Sequence, residues 1–264
     1  MLTSLLHAEE FQRQAVGFSR KGWNPLHGIV AALDGIAIEI QQPTLKDCRE
    51  PRKYFNRKGF FSICCQVAAG FDYKILHLSA KHPGSTHDST ACASTALATL
   101  LECIGESSDL PDWAIVAADE AYANGGRLMT PFSGRGLPIW KDSFNYFLSS
   151  SRAIVEQTFG IIVSRWGIFW SGLRCRLKTS TLIIAVCCKL HNYLIEQKEM
   201  RASAEPPDPE NRVEGFPFVW LQDELDLEEE NQRSRKRCRE NSDRRNAGVR
   251  ALQEAGRLRP PRAP

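Results

Sequence analysis

The sequence predicts an α/β fold, a sheet flanked by helices with a disordered C-terminal tail, from three observations. Ile29 to Leu33 and Trp113 to Ala118 are short continuous apolar runs of the kind buried strands show, and each is followed directly by an aspartate. Phe60 to Ala68 and Lys74 to Ser79 are two further strand candidates, joined by a Gly70-Phe71-Asp72 hairpin turn. Ser149 to Trp166 then places Val155, Phe159, Ile162, Val163 and Trp166 on one helical face.

In chain order, residues 1–21 carry a short helical pattern that Gly22-Trp23-Asn24-Pro25 interrupts. The β-branched run Ile29 to Ile40 reads as a strand that delivers Asp34 near its middle or end. Pro43 to Gly59 is polar and basic. The two hairpin strands follow, then a His82-Pro83-Gly84-Ser85 loop and a small-residue helix over Thr86 to Cys103. After the Trp113 to Ala118 strand, Gly125 to Gly136 is turn-rich, and a last helix is expected over Ser180 to Glu199.

A chain of 264 residues with 42% hydrophobic residues has material for one sizeable core. The expected organisation is a short helical segment at 1–21, a main domain at 22–199 and a low-complexity tail at 200–264. The net charge of +3 conceals an asymmetric tail: residues 201–230 carry 2 basic and 10 acidic side chains, and 231–264 carry 11 basic and 3 acidic. Within it the basic cluster Arg233 to Arg239 suits nuclear import or nucleic-acid contact, so the nucleus is the expected location. No run approaches the roughly 20 apolar residues of a membrane span. The nine cysteines lack CxxC spacing and read as reduced thiols rather than a disulfide framework.

Three acidic residues stand out chemically. An aspartate at the end of a buried strand is costly unless its charge meets a partner, and Asp34 and Asp119 both occupy such positions. Glu156 falls about 60° from the centre of its helix's apolar stripe, so it can face a cleft while the helix stays packed. Three oxygen donors suit Mg2+ or Mn2+ and phosphodiester chemistry better than zinc. The plain alternative is surface charges and caps, including an ion pair between Arg152 and Glu156, four residues apart on one helix, which needs no metal. His82, His87 and Cys92 are imaginable as zinc ligands, but their spacing matches no familiar finger. Arg52, Lys53, Arg57 and Lys58, interleaved with Tyr54 and Phe55, suit phosphate gripping and base stacking, or else a solvated loop.

Tyr54-Phe55-Asn56-Arg57-Lys58-Gly59-Phe60, then His82-Pro83-Gly84-Ser85-Thr86-His87-Asp88-Ser89, resembles the DDE-type endonuclease domain of Harbinger-like transposases and the nucleases derived from them. Ser150 to Gly160 with Ser164-Arg165-Trp166, and Cys187-Cys188-Lys189-Leu190-His191-Asn192, extend the likeness in the family's order. The match runs from about residue 28 to 195. The resemblance implies an RNase H-like mixed sheet and an Asp34, Asp119, Glu156 triad holding Mg2+ or Mn2+, with Asp88 as a supporting carboxylate. It further implies that water attacks a DNA phosphodiester and that the freed 3′-hydroxyl then attacks target DNA.

Some positions depart from the family's pattern. Ala118 and Ala121 stand where glycines are usual, and Ile36-Ala37 replaces Thr-His after Asp34-Gly35. Family members also carry a helical DNA-binding region ahead of the nuclease, which 21 residues cannot hold. The expectation is therefore a truncated copy that relies on a separate DNA-binding partner, with oligomerisation open. The competing expectation is a catalytically inactive, domesticated module that binds DNA or protein.

Overall fold

A computed structural model describes residues 8–20, 24–102, 110–202 and 241–256. Strands β1 (Ile29–Glu39), β2 (Ser62–Ala69), β3 (Ile75–Pro83), β4 (Ile115–Ala117) and β5 (Leu128–Met129) form one sheet in the order β3-β2-β1-β4-β5. β1, β2 and β3 pair antiparallel, whereas β4 and β5 join parallel to β1. The sheet is therefore mixed, as the resemblance implied. β5 lies in the stretch whose glycines read as turns; a two-residue strand carries no periodicity for a sequence to display.

Both faces are covered. Helices α1 (Ala8–Arg20), α2 (Asp88–Ala93) and α3 (Ala96–Glu102) precede and follow the first three strands. Phe11 and Ala15 of α1, with Leu97 and Leu101 of α3, bury against Val30, Ala31 and Leu33 of β1. The N-terminal helix thus contributes side chains to the core. The helix expected over Thr86 to Cys103 is two short helices, because Thr95 bonds back to the carbonyl of Cys92 and breaks the run.

The long helix α4 (Ile139–Arg165) begins ten residues before Ser149, where the sequence placed its start, and covers the other face. Its Ile154, Val155 and Ile162 pack with Ala32, Ile38 and Val67. Asn24 fastens α4 to the approach to β1 by donating to the Phe147 carbonyl at 3.0 Å and to Ser151 Oγ at 2.6 Å.

Helix α5 (Leu177–Ala202) secures the outer hairpin. Asn192 accepts from the Ile75 N–H and donates to the Ile75 carbonyl, each at 2.8 Å, which satisfies backbone groups on the edge strand. Next to it, fully buried His191 bonds through Nε2 to the Tyr73 carbonyl at 2.8 Å, and its Nδ1 meets Arg165 at 3.0 Å. Because the guanidinium can only donate, the ring is neutral with its proton on Nε2. The His191-Asn192 pair of the recognised string is therefore a structural clasp.

Within the tail, α6 (Asn241–Glu254) packs on α4, with Leu252 fully buried and Gly248 against Phe144. Its few apolar residues show no sustained stripe, which is why the sequence alone does not reveal it. The acidic block and the Arg233 to Arg239 cluster lie outside the described residues. Cys48, Cys64, Cys65, Cys92, Cys175, Cys187 and Cys188 are free thiols, in keeping with the reading of reduced cysteines.

Candidate active site

The parallel pairing of β1 with β4 decides where two of the carboxylates go. Ala32 sits opposite Ala117, so two residues further along each strand Asp34 and Asp119 are level and on the same face. That face is the one α4 covers, since Ala32, Ile38 and Ala117 belong to the core cluster that holds Ile154 and Val155. α4 brings Glu156 to the same place from above.

The three carboxylates surround one guanidinium. Arg152 Nη2 lies 3.8 Å from Asp34 Oδ2, 3.8 Å from Asp119 Oδ2 and 3.4 Å from Glu156 Oε1. Exposure grades outward, from 21% for the Asp34 side chain through 44% for Asp119 to 60% for Glu156. The helix pair anticipated between Arg152 and Glu156 exists, but at that exposure it contributes only about 0.3–0.5 kcal/mol. The additional contacts to β1 and β4 set Arg152 apart from an ordinary surface pair.

Asp34 and Asp119 are each tethered by the next residue's N–H: Gly35 donates to Asp34 Oδ1 at 2.8 Å, and Glu120 donates to Asp119 Oδ1. Burial pushes the Asp34 carboxyl above its ordinary range, opposed by the Gly35 hydrogen bond and by Arg152, and reinforced by Asp119 and Glu156.

Asp88 reaches the site's backbone from the other face of the sheet. Gly35 points away from α4, and a Cβ built there would lie 2.2 Å from Asp88 Oδ1 and 2.9 Å from Gln66 Nε2. Gln66, fully buried, donates to Asp88 Oδ1 at 3.1 Å and accepts from Tyr122 Oη at 2.7 Å. Gln66 escaped the sequence reading because nothing local marks it; only the pairing of β2 with β1 places it across from Gly35.

The basic loop is stationed apart from the triad. Arg52, Lys53, Arg57 and Lys58 are exposed around a 3-10 turn at Pro51–Tyr54, and Lys53 is paired with Glu50 at 2.6 Å. Buried Asn56 organises the turn by accepting from the Lys58 and Phe60 N–H groups, while Phe55 meets Phe61 edge-on. The loop leads into the start of β2, some five residues or roughly 17 Å along the strands from Asp34.

His82 is hydrogen-bonded to Ser94, and Cys92 is buried, so each has an ordinary structural environment. Among the described residues no three His, Cys, Asp or Glu side chains are close enough to hold a metal ion as they stand. The triad's chemistry nevertheless fits a hard dication: all three members are carboxylates, and they converge on a positive charge.

Residues 33–192 match the DDE superfamily endonuclease family. The chain belongs to the DDE superfamily endonucleases. The DDE domain spans the sheet from the end of the first buried run in β1 to the His191-Asn192 clasp. The human protein "Putative nuclease HARBI1" is 26% identical over 192 residues, 72% of this chain and 52% of its own length. The Bos taurus protein of that name is 24% identical over the same span. "Protein ALP1-like" of Arabidopsis thaliana is 24% identical over 160 residues, 55% of this chain and 38% of its own. The chain spans about half the length, or less, of these curated relatives. No solved structure matches. Across the described residues, no helix is long and apolar enough to cross a membrane.

Proposed function

We propose that this DDE endonuclease domain cuts DNA phosphodiester bonds, or joins strands, in a divalent-metal-dependent reaction carried by Asp34, Asp119 and Glu156. The observation that carries the reading is the convergence of these three carboxylates, from β1, the end of β4 and α4, on a single cation. Magnesium or manganese, when bound, supplies activation of the attacking oxygen and neutralises charge on the departing one. Asp34 and Asp119 would be the fixed ligands, each restrained by a backbone N–H, one on β1 and the other just beyond the end of neighbouring β4. Glu156 is the adjustable one, its side chain exposed on α4. Asp88 supports the backbone at Gly35 from behind.

Arg52, Lys53, Arg57 and Lys58 extend the binding surface along the DNA backbone, where phosphate contacts give affinity without sequence choice. Sequence choice then comes from a separate DNA-binding partner, and the Arg233 to Arg239 cluster delivers the protein to the nucleus.

The second reading, an inactive module that keeps the fold to bind DNA or protein, is favoured by one observation: Arg152 already occupies the place among the carboxylates and offsets part of their charge. Nicking of supercoiled plasmid with Mg2+ or Mn2+, beside Asp119→Asn, Glu156→Gln and EDTA controls, separates the two. A nuclease loses its metal-dependent nicking in either variant. Parent activity that survives both substitutions rules out the triad, and an inert parent that binds no metal favours the inactive module.

A further inference from the structure

Arg152 is held where three acidic side chains meet, yet its hydrogen bonding is poor. Its side chain is 14% exposed, its Nε is buried without a hydrogen-bond partner, and the one hydrogen bond it makes within the triad, to Glu156, is 3.4 Å long. The contacts to Asp34 and Asp119, at 3.8 Å, are too long for hydrogen bonds. Arginine paired for its own sake adopts a short, forked geometry with one carboxylate. Here the summed charge of three carboxylates holds the guanidinium at a place of no ideal partner.

Resting on the metal-dependent reading above, we propose that Arg152 is the triad's resident counter-ion: a positioning residue that keeps the carboxylates assembled without metal and is displaced when a dication takes the same oxygens. Three like charges, from the middle of β1, just past the end of β4 and within α4, repel one another, and a single monocation offsets only part of that repulsion. Magnesium draws oxygen ligands to about 2 Å, closer than the nitrogen now stands, so the two cations compete for one place. Arg152 lies one turn before Glu156 on a well-packed helix, so its departure requires only side-chain rotation while the backbone keeps Glu156 in position. Metal affinity in the native chain is accordingly reduced by the work of displacing the guanidinium.

The test is a calorimetric titration of the full chain with Mn2+, alongside Arg152→Gln and Asp119→Asn, with thermal melts of each with and without the ion. Arg152→Gln is expected to bind Mn2+ at least about fivefold more tightly, at the lower end of ordinary coupling between sites. It is also expected to melt lower than the parent without metal and to recover with it. Equal or weaker affinity in a folded Arg152→Gln overturns the proposal alone. No Mn2+ binding in parent or variant overturns the metal-dependent reading and the proposal with it.

Should Arg152→Gln fail to fold, the parent still decides the matter by 15N spectra of its arginine Nε–H groups, with Arg152 assigned through Arg152→Lys. The Arg152 signal is expected to shift on addition of Mg2+ and to stay in place in Asp119→Asn. A signal unmoved at saturating Mg2+ overturns the proposal.

Discussion

Asp34 shows the conflict between stability and chemistry on one side chain. Burial raises its pKa first of all, and the Gly35 N–H and Arg152 recover only part of that. A carboxyl whose folded pKa is raised contributes stability below its unfolded value of 3.8 and loses it as pH rises through the folded value. At neutral pH the Asp34 charge therefore opposes folding. Asp34→Asn is expected to raise the unfolding free energy of the metal-free chain by up to about 1 kcal/mol while removing any stabilisation by Mn2+. Denaturant titrations at pH 7 with and without the ion check both parts. A variant less stable than the parent would mean that its attraction to Arg152 outweighs desolvation.

At the scale of elements, close approach decides how α1 docks. A Cβ on Gly17 would lie 2.2 to 2.4 Å from ring atoms of Phe71, so only glycine lets the helix rest on the β2–β3 turn. Alanine is the better helix former by about 1 kcal/mol, yet crowding a packed contact costs about 1–3 kcal/mol. Gly17→Ala is expected to be net destabilising, read as a lower urea midpoint; a higher midpoint would show that the Phe71 ring turns aside freely. The same turn is pinned from α5 by His191 and Asn192. Elements of sequence-visible periodicity, β1 to β3 and α4, are thus joined by contacts that no local pattern announces.

For the whole molecule, buried histidines on separate layers couple stability to pH. His77 on β3 is 6% exposed, with Nε2 unpartnered beside apolar Phe11, Leu97 and Leu101, and burial pushes its pKa down to about 4. Lys81 pushes in the same direction. His191 is also lowered, by burial first and by Arg165, against its bond to the Tyr73 carbonyl. A histidine with a depressed folded pKa binds protons more readily when unfolded. Its contribution is complete above the unfolded value of 6.5 and is lost as pH falls towards the folded one. Unfolding free energy is expected to drop between pH 7 and pH 4.5, with His77 accounting for on the order of 2–3 kcal/mol. His77→Leu should flatten that slope, and an unchanged slope would assign the loss to other groups.

Composition and periodicity were enough to read most of the sheet and both long helices from the sequence, because burial on one or both faces leaves a repeating apolar signal along the chain. They also singled out Asp34 and Asp119, since a charged residue directly after a buried run has few uses. Asp88 was visible as a nearby carboxylate, but strand pleating alone puts it behind Gly35, on the face opposite α4. The short β5, the break at Thr95 and the docked α6 were illegible because each depends on partners distant in the chain. The same holds for the chemistry: local spacing showed Arg152 and Glu156 as neighbours on one helix, whereas strand register and helix packing set that arginine against all three carboxylates. Electrostatic energy depends on distance in space, and only the tertiary structure sets those distances.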